Sequence, residues 1–97
     1  MVAKINAVHF EISERLSAFI HKKVDKLYRR FDLISEAEVT LKVVKPETSL
    51  NKEAQVKLHV PGSAELFASK TCDTFEEAVD LSLEALERQL EKIKEKK

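Results

Sequence analysis

Between Asp73 and Lys94 one pattern dominates: Phe75, Ala78, Val79, Ser82, Leu83, Leu86, Leu90 and Ile93 return every three or four positions. A 3.6-residue period sustained for about five turns is an amphipathic helix that must lay its apolar stripe on another layer. Asp73 or Thr74 supplies the N-cap, and Glu76 or Glu77 completes a capping box. A second segment behaves alike. From Glu14 to Phe31, behind the N-cap Ser13, the stripe is Leu16, Phe19, Ile20, Val24, Leu27 and Phe31. Two helices with one apolar stripe each require a partner layer.

The rest of the chain offers that layer with a different period. Ala37, Val39, Leu41 and Val43 alternate with Glu38, Thr40 and Lys42 across 36–45, and Ala54, Val56, Leu58 and Val60 continue the alternation across 52–60. A period of two is a strand with one buried face. Residues 2–12 read as a first strand and 64–71 as a shorter fourth. Pro46 to Asn51 reads as a loop, and Pro61-Gly62-Ser63 as a turn. The order β-α-β-β-β-α predicts an α+β two-layer sandwich: a four-stranded sheet with both helices on one face. Its 97 residues suffice for one modest core, so residues 1–97 read as a single domain, ordered over about 2–94 with a short basic tail.

Several kinds of chemistry are not supported. One cysteine, Cys72, cannot form an internal disulfide and fits a reducing compartment. The start resembles no signal peptide, and no stretch approaches the roughly 20 apolar residues of a membrane span, so a cytoplasmic protein is expected. His9, His21 and His59 are scattered without metal-ligand spacing. Cys72 stands before a helix start but reads as an inert thiol. Gly62 is the only glycine, so there is no glycine-rich phosphate loop. The expectation is no enzyme, no metal and no cofactor.

The charges total 17 basic and 17 acidic residues, which argues against a generally basic nucleic-acid binder unless they are sorted. On a helical wheel they are. Arg15, Lys22, Lys26 and Arg29 share a flank of the first helix, with Lys23 and Arg30 nearer the core edge; Glu14 and Asp25 lie on the back and opposite side. No nearby acid is expected to offset the six cations. On the second helix Arg88, Lys92 and Lys96 line one flank, while Glu76, Asp80, Glu84, Glu87, Glu91 and Glu95 take the outer and opposite faces. Two like-sorted helices predict a basic stripe that grips structured RNA through phosphates. The candidate contacts are Lys22, Lys23, Lys26, Arg29, Arg30, Arg88, Lys92 and Lys96. Aromatic stacking contributes little, since the phenylalanines mostly fall at core positions and only Tyr28 remains a candidate. Two other readings exist: solvated faces held by i,i+4 pairs such as Glu84–Arg88, and a protein-interaction module using the acidic flank of the second helix.

Four strings in register carry a family resemblance over essentially the whole chain. They are Glu11-Ile12-Ser13-Glu14; Lys23-x-x-Lys26-Leu27 followed by Phe31-Asp32; His59-Val60-Pro61-Gly62; and Asp73-Thr74-Phe75-Glu76-Glu77-Ala78-Val79-Asp80 with Leu86-Glu87-Arg88-Gln89-Leu90. The sequence resembles the ribosome hibernation-promoting factor and ribosome-associated inhibitor A family, in its short form. The resemblance implies an architecture like a double-stranded-RNA-binding domain. It also implies a partner, the small ribosomal subunit and its RNA, with no membrane or small-molecule substrate, and a monomer when free. Binding in the channel of messenger and transfer RNA would inhibit translation by occupancy and promote or stabilise inactive ribosomes. Lys23, Lys26, Arg88 and Lys92 match basic family positions that meet ribosomal RNA. Ala85, Glu91 and Ile93 depart from the family's usual residues.

Overall fold

The structure is a computed structural model that describes residues 3–8, 10–44, 51–63 and 65–95, the last two by their backbone alone. Six elements follow in the expected order: β1 (Ala3–Ala7), α1 (Glu14–Arg30), β2 (Glu36–Val43), β3 (Lys52–His59), β4 (Leu66–Cys72) and α2 (Phe75–Glu95). The four strands form one sheet in the order β1-β2-β3-β4. β1 runs parallel to β2, because α1 carries the chain back across the sheet between them. The other two pairings are antiparallel.

Register turns the alternation into one buried face. Ala37 opposes Leu58, Val39 opposes Val56 and Leu41 opposes Ala54, and Val56 and Leu58 then oppose Ala68 and Leu66. All of these are buried, together with Leu16, Ile20, Val24, Leu27 and Phe31 of α1 and its cap. Ala78, Val79, Leu83, Leu86 and Leu90 of α2 join the same core. α2 lies over β3 and β4, and α1 packs beside it toward β1. Both helices therefore cover one face. The other face carries Lys4, Glu38, Lys57 and Phe67 in one row across the strands.

Local chemistry sets where both helices start and where β3 gives way to a turn. The Ser13 hydroxyl accepts the Leu16 N–H at 3.1 Å, and the Thr74 hydroxyl accepts the Glu77 N–H at 3.2 Å. Thr74 is thus the cap of α2. After β3, Ser63 N–H donates to the Val60 carbonyl at 3.0 Å, and Gly62 sits at φ +82°. Proline at the second position and a left-handed glycine at the third is the chemistry of a type II turn.

Two expectations change. The first strand spans Ala3–Ala7 rather than 2–12; Phe10 and Ile12 instead pack against the core edge, Phe10 stacking on Phe75 with centroids 5.1 Å apart. Phe67 is not a core residue: its place in the alternation puts it on the open face, 54% exposed. Lys70 shares the inward row of Leu66, Ala68 and Cys72 yet is exposed, an inward-row charge that discourages further pairing at an edge strand. His9, Ala64, Lys96 and residues 46–50 lie outside the described residues.

Candidate nucleic-acid interface

On α1 a step of about 100° separates two uses of positive charge. Lys22 and Lys23 are 100° apart on α1. Lys23 turns toward α2, where its Nζ lies 3.0 Å from an Asp80 carboxylate oxygen. Two turns further along the same face, Arg30 bridges two acids of α2, with one guanidinium nitrogen 3.1 Å from Glu87 and another 2.9 Å from Glu91. Aromatic rings back both cations: Phe19 lies 5.5 Å below Lys23 and Phe31 5.2 Å below Arg30. Asp80, Glu84, Glu87 and Glu91 recur at helical spacing on the α2 face that meets α1. Below them Leu27 and Leu83 floor a groove that Lys23, Lys26 and Glu84 also line.

This seam corrects the wheel-based expectation. Lys23 and Arg30 are offset by nearby acids, and those acids belong to the other helix. Asp80, Glu87 and Glu91 lie off the Arg88–Lys92 flank of α2, and the side they occupy faces α1. A wheel centred on each stripe separately cannot show this, because it lacks the angle at which the two helices meet. Glu91 thereby has a structural partner in Arg30. Ala85 and Ile93 both pack against the core. The i,i+4 pair Glu84–Arg88 is not formed.

Arg15, Lys22, Lys26 and Arg29 on α1, and Arg88 and Lys92 on α2, are all exposed. None of the six has an ion pair or hydrogen bond among the described residues. On α1, Lys22, Lys26 and Arg29 rise 1.5 Å per residue along one face, a row of cations about 10 Å long. Such a row suits successive phosphates, each contact releasing counterions. The seam acids run between it and the Arg88–Lys92 flank. What the sequence suggested as one stripe is therefore two cationic tracks with an ion-paired strip between them.

The aromatic inventory also shifts. Tyr28 is half-buried against the core, whereas Phe67 is the exposed ring, on the sheet face away from both tracks. Its odd place relative to Leu66 and Ala68 was the available signal. Cys72 is buried, and its thiol is pushed above the ordinary value of 9.0 by that burial first and by Glu77 and Asp73 second. It is held as the neutral thiol. Among the described residues no three potential ligands gather for a metal ion, and no helix is long and apolar enough to cross a membrane.

Comparison with known proteins agrees with this architecture. The family model for Sigma 54 modulation protein / S30EA ribosomal protein matches residues 3–97. A ribosome hibernation promoting factor of Azotobacter vinelandii is 32% identical over 96 residues, covering 99% of this chain and 85% of the relative. A ribosomal subunit interface protein from Coxiella burnetii superposes with a TM-score of 0.83 at 26% identity, covering 97% of this chain and 98% of that one. The N-terminal domain of Protein Y from Thermus thermophilus shares the fold, with a TM-score of 0.79 at 20% identity over 96% of this chain and 99% of that one. The chain belongs to the Sigma 54 modulation protein / S30EA ribosomal protein family, which includes the ribosome hibernation promoting factors.

Proposed function

We propose that this protein is a ribosome hibernation factor without catalytic activity. It docks on the small ribosomal subunit in the channel of messenger and transfer RNA and holds the ribosome idle by occupancy. The observation that carries this reading is the set of exposed cations without acidic partners, Arg15, Lys22, Lys26, Arg29, Arg88 and Lys92, on a chain whose formal charge is zero. Evenly mixed charges would leave no such set. The names of the relatives, hibernation promoting factor and ribosomal subunit interface protein, support the choice of partner. Lys23 and Arg30 take a lesser part in binding, because a phosphate must displace a carboxylate to reach them. The protein acts in the cytoplasm as a monomer that needs no cofactor, and Lys96 is a further candidate contact for phosphate.

The test is co-sedimentation with purified small subunits at about 50 and about 200 mM salt. Phosphate contacts of this number predict binding at the lower salt that falls by orders of magnitude at the higher. The K22E/K26E/R29E/R88E/K92E variant should not sediment with subunits at either salt. Undiminished sedimentation of that variant would refute the reading. In a translation assay, inhibition should weaken as messenger and transfer RNA are raised, since all compete for one channel.

A further inference from the structure

We propose that the ion-paired strip between the helices is a selectivity element: it prevents ordinary nucleic acid from lying across both helices. Binding is thereby reserved for a surface whose phosphates run in two separate tracks. The proposal deepens the RNA-binding reading and rests on it.

The strip spans twelve residues of α2, from Asp80 to Glu91, or about 16 Å of helix. Four carboxylates there, Asp80, Glu84, Glu87 and Glu91, face Lys23 and Arg30, with Lys26 also on the groove wall, leaving a formal surplus of one negative charge. Glu84 is exposed, lines the groove and has no ion pair among the described residues. A duplex laid flat over α1 and α2 would bring phosphates onto this surplus, and its two best-placed cations would already be occupied. A polyanion following the Lys22–Lys26–Arg29 row, or the Arg88–Lys92 flank, avoids it.

Stability does not account for the strip. Its pairs are open to water, with side chains 36–56% exposed, and ion pairs of that kind contribute little to folding. Electrostatic complementarity of this sort contributes more to choice of partner than to affinity. Like charges placed against the wrong partner are a recurring device of specificity. Zero net charge further lowers the general attraction for nucleic acid, leaving selection to the arrangement of tracks.

The experiment compares two variants of equal net charge. E84Q/E87Q/E91Q removes three of the strip's four carboxylates, and E36Q/E53Q/E65Q removes the same charge from strands and turn away from the helices. Each is titrated against a mixed-sequence RNA duplex of about 20 base pairs and against small subunits, with melting monitored. The strip variant should bind the duplex about tenfold tighter, with a salt slope steeper by about one as Arg30 is released, while Lys23 stays with Asp80. The sheet variant should gain no more than about twofold, and subunit affinity of the strip variant should change less than about threefold. Equal duplex gains by both variants, or no gain by the strip variant, would overturn the proposal. If the triple variant fails to melt cooperatively, E84Q decides alone, since that carboxylate supports no contact: a gain of about twofold supports the strip, and none overturns it. Wild-type protein that ignores small subunits refutes the functional reading, while the duplex comparison still judges the strip.

Discussion

Lys22 and Lys23 are adjacent, carry the same charge and differ in everything their surroundings do with it. Lys22 projects into solvent with Lys26 and Arg29; Lys23 meets Asp80 at 3.0 Å and lies over the Phe19 ring. The same division separates Arg29 from Arg30, which is held by Glu87 and Glu91. Positive charge on a helix is thus not one property. A step of 100° assigns it either to a partner helix or to whatever the protein binds.

The largest expected effect would break this comparison if it failed. Reversing Lys22, Lys26, Arg29, Arg88 and Lys92 together should lower small-subunit affinity by about a thousandfold, whereas K23E/R30E should cost about tenfold or less. Equal losses in a binding titration would abolish the distinction between the two classes of cation. Next comes the floor beneath the seam. Leu27 is 3% exposed, and Leu27→Ala should destabilise the fold by about 2–5 kcal/mol in urea unfolding. Arg30→Ala, just above that floor, should cost no more than about 1 kcal/mol, because its pairs are exposed. A loss as large as that of Leu27→Ala would make the seam a structural device rather than a selective one.

The smallest effect concerns Cys72, away from the seam. Its folded-state pKa is raised, so the folded protein holds the thiol proton where the unfolded chain releases it. The contribution to stability is therefore fully present below pH 9.0 and declines as pH rises above that value. Urea midpoints taken from pH 7 to 10 should fall at the alkaline end more for the wild type than for Cys72→Ala. Alkylation of the thiol should be slow while the protein is folded.

Much of the fold was legible because its signals are local. Leu86 and Leu90 announce a helix by their spacing, Val39 and Leu41 a strand by theirs, and Ser13 marks a start by the hydroxyl it offers to a free N–H. The same alternation placed Phe67 outward, although its identity alone suggested the core. The first strand was overextended because Phe10 and Ile12 are apolar without being paired in the sheet. Of the candidate contacts, the exposure of Lys22, Lys26, Arg29, Arg88 and Lys92 followed from the wheel. The engagement of Lys23 and Arg30 did not.

By itself the sequence determined the order of elements, which face of each is apolar, and which cations stand together on α1. Those depend on residues within a few positions of one another, through backbone geometry that every helix and strand shares. Only the tertiary structure decided that the acids of α2 face α1, and so which cations remain uncommitted. Asp80 and Lys23 are 57 positions apart, as are Glu87 and Arg30, and their meeting depends on how two helices settle side by side on one sheet. That angle is set by packing of the whole core, in which Leu27, Leu83 and their neighbours must fill one space.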